Sequence, residues 1–183
     1  MGKIAVIDTE TTWANHVMSI GTVVADADTF RPLDAIYHIL TPEYLEGGMF
    51  SNVLFLDSRL APNICSREEA MEDLKSWLGH HGVSHIFAYN AGFDKGHLPE
   101  LRHLHWHDIM RLAAYRQHNP KIPTCADCYS TGRLKRGYGV ESILRMLSGD
   151  CAYCEVHNAI CDAMDELTIM RLLGHSIDAY GEI

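Results

Sequence analysis

The stretch Ile4-Ala5-Val6-Ile7-Asp8-Thr9-Glu10-Thr11-Thr12 limits what this chain can fold into more than any other segment. Four apolar residues that read as a buried strand run straight into Asp8 and Glu10. Side chains alternate faces along a strand, so the two carboxylates share one face at the end of the core. Two acids forced into one partly buried place either share a proton or hold a cation between them. Hard divalent ions such as Mg²⁺ or Mn²⁺ favour oxygen ligands of this kind. A solvated strand end or a pair of capping acids gives the same letters, so the motif acquires meaning only from partners elsewhere in the chain.

Residues 3–8 are followed by two more strand-like runs, 17–25 (VMSIGTVVA) and 33–40, which together predict an antiparallel meander. Residues 41–64 carry Pro42, Gly47, Gly48 and Pro62 and read as a long loop. Ser66 to Gly82 has the start and stop signals of a helix, and 84–90 reads as a short strand. Helices are expected over 94–104, with Pro99 as a break or a start, and over 108–118, 139–149 and 159–174. Three strands followed by alternating helices and strands predict an α/β fold: a mixed sheet, antiparallel meander plus parallel strands, flanked by helices in a single domain spanning residues 1–183. No signal-peptide-like opening and no long apolar run is present, so the expectation is a cytoplasmic protein without membrane association, whose cysteines are thiols or metal ligands.

The net charge of −9 argues against a non-specific nucleic-acid coat protein. It is unevenly spread. Residues 1–94 hold 5 Lys/Arg and 13 Asp/Glu, residues 95–145 hold 9 and 4, and residues 146–183 hold 1 and 7. An acidic metal site beside a basic lane suits a polyanionic substrate, although ordinary surface patchiness produces similar counts.

Asp94 ends the segment YNAGFD, just past the short strand, where open α/β sheets place their ligands. The segment HNAICDAMDEL puts His157 at the start of a helix and Asp162 inside it, with Asp165 and Glu166 three and four residues on. Like charges at those spacings weaken a helix by roughly a few tenths of a kcal/mol each unless a cation compensates. Taken singly, Asp162 also reads as a solvated helix face and His157 as a capping or surface residue. Taken in order, IDTETT, YNAGFD and HNAICDA, with HDIMRLAAY between the second and third, resemble the DEDDh or DnaQ-like 3′→5′ exonucleases, which include proofreading subunits of bacterial DNA polymerases and small ribonucleases. The resemblance covers nearly the whole chain. It implies a ribonuclease H-like fold, metal-binding acids at Asp8, Glu10, Asp94 and Asp162, a general base at His157, and two Mg²⁺ or Mn²⁺ ions.

The chemistry supports the same reading. Two divalent ions about 3.5 to 4 Å apart can stabilise both the incoming and the departing oxygen of an in-line phosphodiester hydrolysis. Four carboxylates neutralise two such ions, and an imidazole can accept a proton near neutral pH. The implied activity is release of 5′-mononucleotides from 3′ ends, with single-stranded DNA favoured. An RNA-trimming exoribonuclease and a catalytically silent module that binds nucleic acid or a polymerase are the alternatives. Expected partners are DNA or RNA 3′ ends and, beyond them, a DNA polymerase or repair protein.

Thr11, Thr12, Trp13 and Met18 after the first motif, and Tyr89, Asn90 and Phe93 in the second, are the expected holders of the terminal bases, where stacking contributes roughly 1 to 3 kcal/mol per base. Many members of the family have glycine where this chain has Trp13. Core packing is the competing role for Tyr89 and Phe93. The pairs Cys125/Cys128 and Cys151/Cys154 have nearly the spacing of a four-thiolate zinc site, which predicts a structural Zn²⁺ in a small insertion at about 120–156 that clamps the loop at 120–137. Free thiols and a redox dithiol are alternatives, as is a metal shared by Cys151, Cys154, His157 and Cys161, which would remove the base. Arg133, Lys135 and Arg136 in that loop are expected at backbone phosphates, with Arg116 and Lys121 extending the lane. His80, His81, His103, His105 and His107 read as surface residues.

Overall fold

The computed structural model describes residues 2–56 and 60–183. Strands β1 (Lys3–Thr11), β2 (Val17–Asp26) and β3 (Pro32–Leu40) form the expected antiparallel meander. Strand β1 continues past its apolar run, so Asp8 and Glu10 lie within the ladder, opposite Gly21 and Ser19, and a bulge follows between Glu10 and Thr11. Strand β4 (Asn63–Cys65) pairs parallel to β3, β5 (His85–Ala88) parallel to β1, and β6 (His105–Asp108) parallel to β5. The order β4-β3-β2-β1-β5-β6 makes one mixed six-stranded sheet.

Two of these strands lie where the sequence predicts none. β4 falls in the expected long loop, which also contains short 3-10 helices at Glu43–Glu46 and Ser51–Val53. β6, with the sequence HWHD, has no apolar alternation of its own and is defined by its pairing with β5. Its Trp106 is wholly buried and donates its indole N–H to the Leu101 carbonyl at 3.0 Å.

Helix α1 (Arg67–His81) starts on the capping box that Ser66 and Glu69 announce and ends at Gly82, whose positive φ of 69° suits glycine. Helix α2 (Gly92–His97) is shorter than expected: Pro99 cannot continue it and opens a separate 3-10 turn at Pro99–Leu101. Helix α3 (Met110–Ala113) is a single turn instead of the expected run to residue 118, because the chain leaves at Ala114 to pair with residues 132–134. Helices α4 (Val140–Ser148) and α5 (Ala159–Leu173) match their expected spans closely.

Alternation along β1 sorts the core into two layers. Ile4 and Val6 pack with Ile143, Leu144, Ala163 and Leu167 of α4 and α5, whereas Ala5 and Ile7 pack with Ala70, Leu74 and Leu78 of α1. Asp8 and Glu10 continue the Ile4–Val6 row and therefore face α5. At Gly21, directly opposite Asp8, an added Cβ would fall 2.2 Å from the Ala159 carbonyl carbon and oxygen. The first turn of α5 thus rests on bare sheet backbone, which brings Asp162, one turn on, to the acids of β1.

Candidate active site

The sheet, α2 and α5 deliver Asp8, Glu10, Asp94 and Asp162 to one place. Asp8 is raised well above the usual carboxylate range by burial, then by the neighbouring charges of Asp94, Asp162, Glu10 and Glu155. Burial followed by Glu155 and Asp94 pushes Glu10 up to about 8. Burial followed by Glu155, Glu10 and Asp165 pushes Asp162 up to about 8. Asp94, almost fully buried in α2, is raised to about 7 by burial even though the Thr9 hydroxyl donates to its Oδ1 at 2.7 Å.

Two further acids join this cluster without having been singled out as site residues. Glu166, 2% exposed, lies four residues beyond Asp162; its Oε2 accepts the Tyr89 backbone N–H at 3.0 Å, and burial followed by Asp8 and Asp94 raises it well above its usual range. Its position four residues after Asp162 is plain in the sequence, but its burial is not. Glu155 lies on the segment leading into α5, with Oε1 3.9 Å from His157 Nδ1. Asp108, at the end of β6, accepts the backbone N–H groups of Asn90 and Met110, both at 3.0 Å, and so anchors the turn that carries Asp94. Asn90 in that turn has φ 63°, a conformation asparagine tolerates better than most residues.

His157 also has a left-handed backbone, with φ 59°, and its ring stacks on Phe50 at 4.1 Å between centroids and 20° between planes. The adjacent Asn158 is fully buried and donates its amide to the carbonyls of Val53 at 2.8 Å and Leu54 at 3.3 Å. Tyr37 donates to the same Leu54 carbonyl at 3.0 Å. The segment expected to be a plain loop is therefore pinned beside the histidine, and it supplies Phe50. No local sequence signal marks Phe50 or Asn158 for these roles.

A cleft of about 340 Å³ opens beside Glu10, lined by Thr9, Thr11, Thr12, Trp13, Met49, Phe50 and Phe93 among others. Trp13 is 72% exposed and Phe93 40% exposed, so both present ring surface. Thr12 Oγ1 is engaged in its own turn, accepting from Ala14 and His16 backbone amides. Met18, expected at the bases, is instead completely buried in the core, because its strand position faces inward. Tyr89 is half-buried and reaches away from the cleft to donate its hydroxyl to the Tyr138 carbonyl. Asn90 is exposed beside it.

Among the described residues, the four thiols expected to hold zinc form no group of three with ligand atoms within 4.8 Å of one another. Cys125, Cys151 and Cys154 are exposed and Cys128 half-buried. Among the described residues, only Glu10, His157 and Asp162 form a group of three or more His, Cys, Asp or Glu side chains with ligand atoms all within 4.8 Å of one another. The loop at 120–137 is held by other means. Leu134 N–H donates to Ala114 O at 2.9 Å, Arg116 N–H to Gly132 O at 3.0 Å, Tyr129 N–H to Arg133 O at 2.8 Å and Lys135 N–H to Asp127 O at 3.0 Å. The Arg116 guanidinium, expected in a phosphate lane, donates to the Ala126 carbonyl at 2.6 Å instead. Lys135 pairs with Asp127 at 3.0 Å, while Lys121 and Arg136 are exposed. Of the histidines read as surface residues, His107 is buried, donating through Nδ1 to the Tyr180 carbonyl at 2.7 Å.

The acids fit divalent cations. Asp8 Oδ2 and Asp162 Oδ1 are buried with no hydrogen-bond partner among the described residues. An orphaned buried polar atom costs about 1 to 3 kcal/mol, and more when charged. A cation held between these oxygens removes that cost together with the mutual repulsion, and an oxygen-rich donor set favours Mg²⁺ or Mn²⁺. Among the described residues no helix is long and apolar enough to cross a membrane.

No family model matches the sequence, and no curated protein does. Similarity appears among solved structures. The nuclease domain of 3′hExo, a DEDDh family member, bound to rAMP, superposes with a TM-score of 0.66 at 13% identity over 99% of this chain and 96% of that one. Exonuclease X in complex with 5′-overhanging duplex DNA gives 0.56 at 20% identity over 96% of this chain and 95% of that one. E. coli exonuclease I in complex with a dA16 oligonucleotide gives 0.59 at 12% identity, with 98% of this chain matching 42% of that longer one. The chain has the ribonuclease H-like fold of the DEDDh 3′-exonucleases.

Proposed function

We propose that this protein is a 3′→5′ exonuclease that hydrolyses the terminal phosphodiester of a nucleic acid and releases 5′-mononucleotides, with single-stranded DNA the favoured substrate. The observation that carries the reading is the burial of Asp8, Glu10, Asp94 and Asp162 within one another's fields, beside an imidazole and at the mouth of an aromatic-walled cleft. Asp8, Glu10, Asp94 and Asp162 would hold the Mg²⁺ or Mn²⁺, which when bound supplies Lewis acidity and offsets the phosphate's charge. The remaining work falls to the chain. Thr9 fixes the Asp94 carboxylate by its hydrogen bond, and Asp108 fixes the turn from which Asp94 projects. His157 accepts the proton of the attacking water, its ring plane set by Phe50. Trp13 and Phe93 stack on the terminal base, and Thr11 and Thr12 line the same cleft as Glu10.

RNA trimming is the second reading. It is favoured by the likeness to 3′hExo bound to rAMP and to a 3′-exonuclease that recognises a histone mRNA stem-loop. Retention of all four acids and the histidine argues against a silent binding module. The test is degradation of 5′-labelled single-stranded and duplex DNA and RNA of one sequence with Mg²⁺ or Mn²⁺. Stepwise shortening from the 3′ end, fastest on single-stranded DNA and stopped by a chelator, is expected. Internal cleavage, or no shortening with either metal, overturns the reading.

A further inference from the structure

The hydrogen-bonded patch between α3 and α4 carries an arrangement that the acid cluster does not use. Tyr129 and Arg133 face each other across a tight turn, closed by Gly132 N–H on the Tyr129 carbonyl at 2.9 Å, with Gly132 at φ 87°. The Arg133 guanidinium carbon lies 4.8 Å from the ring centroid of Tyr138 and 5.7 Å from that of Tyr129, within cation–π range of both. Its Nε is buried and unpartnered among the described residues, and no described carboxylate pairs with it. Both tyrosine rings keep exposed surface, 51% for Tyr129 and 36% for Tyr138.

Tyr89 links this stack to the acids. Its backbone N–H is on Glu166 of the acid cluster and its hydroxyl is on the carbonyl of Tyr138. The stack is therefore one tyrosine side chain away from the cluster. A guanidinium within cation–π range of two tyrosine rings matches a phosphodiester oxygen pair, and the exposed ring surface matches unstacked bases. We propose that Tyr129, Arg133 and Tyr138 form a subsite for single-stranded polynucleotide, contacting the backbone and bases that follow the terminal nucleotide on the same strand. This rests on the exonuclease reading for the direction of the strand. Lys135, which lies 5.7 Å over the Tyr129 ring but is paired with Asp127, is not part of the subsite.

The test compares Arg133→Gln, Arg133→Lys and Lys135→Ala with wild type in two assays: anisotropy of a labelled single-stranded oligonucleotide, and nucleotide release from that oligonucleotide and from a dinucleotide. Arg133→Gln should weaken oligonucleotide binding and raise KM about tenfold with kcat unchanged, and should lower the salt dependence by about 0.7 in log–log slope. The dinucleotide, too short to reach the stack, should be cleaved as by wild type. Arg133→Lys should fall between, and Lys135→Ala should match wild type. Equal losses on the dinucleotide and the oligonucleotide would mean a structural role and overturn the subsite, as would an Arg133→Gln enzyme indistinguishable from an active wild type. A wild type that binds without shortening the strand, with binding weakened by Arg133→Gln, would overturn the exonuclease reading and keep the subsite. A wild type that neither binds nor cleaves would overturn both.

Discussion

The acids that end β1 and the cysteines that flank α4 are both spaced like metal ligands, and the fold treats them in opposite ways. Asp8, Glu10, Asp94 and Asp162 come from three distant segments, yet a strand, a short helix and a long helix converge to bury them together. Two of their oxygens have no hydrogen-bond partner among the described residues. The cysteines lie much closer in sequence, but three of the four are exposed and the loop between them is fixed by backbone hydrogen bonds. Spacing nominates ligands. What separates the two regions is whether folding leaves the donor atoms in deficit.

The largest expected effect breaks the acid half. Asp8→Asn or Asp162→Asn should lower mononucleotide release by about a thousandfold, since a lost cation ligand removes several kcal/mol of transition-state stabilisation. Circular dichroism should be unchanged, and the metal-free melting temperature equal or higher, because each substitution relieves repulsion. Normal turnover by either variant would refute the assignment.

Next in size is the pH dependence of the metal-free protein. Glu10 and Asp162 titrate near 8 and Asp94 near 7 in the fold, above their ordinary values of 4.5 and 3.8. The native state therefore holds protons that the unfolded chain has released, so their contribution is present at low pH and lost as pH rises from about 5 to about 8. His107, lowered by burial, tilts the other way, but it is one group against the raised acids, which also include Asp8 and Glu166. Acids lowered in the fold, such as Asp26 and Glu69, act only in the acidic range below this window. Melts across that range should show stability falling with pH without metal, and Mn²⁺ should restore most at the alkaline end. A metal-free melting temperature that climbs instead would contradict the crowded-acid picture.

The smallest effect sharpens the other half. Replacing Cys125, Cys128, Cys151 and Cys154 by serine should cost within about 0.5 kcal/mol at each exposed position, and metal analysis should find no stoichiometric zinc. One zinc per chain, with a sharp loss of stability on chelation, would show that the thiols do for their loop what cations are proposed to do for the acids.

Legibility in the sequence follows the same division. The meander was readable because β-branched runs and turn residues are local signals, and α1 because Ser66 and Glu69 form a reciprocal cap. Strand alternation and order along the chain nominate the acids and His157 as one set, and the fold brings Glu10, His157 and Asp162 within reach of one another. β6 was not, since HWHD becomes a strand only through its neighbour, and the helix expected through residue 118 gave way to pairing with residues far along the chain. Phe50, Asn158 and Glu155 lie on segments that meet only in the folded molecule, and Met18, expected at the bases from its place after the first motif, sits on a strand position that faces the core.

Gly21 has a last consequence. Because the start of α5 rests on peptide backbone there, the span between the carboxylates of residues 8 and 162 is set by one hard surface against another, with no flexible side chain to act as a cushion. A gap framed so stiffly would have little give for ions of different radius, so if these acids hold Mg²⁺ or Mn²⁺, rigidity would add to charge in disfavouring the bulkier Ca²⁺.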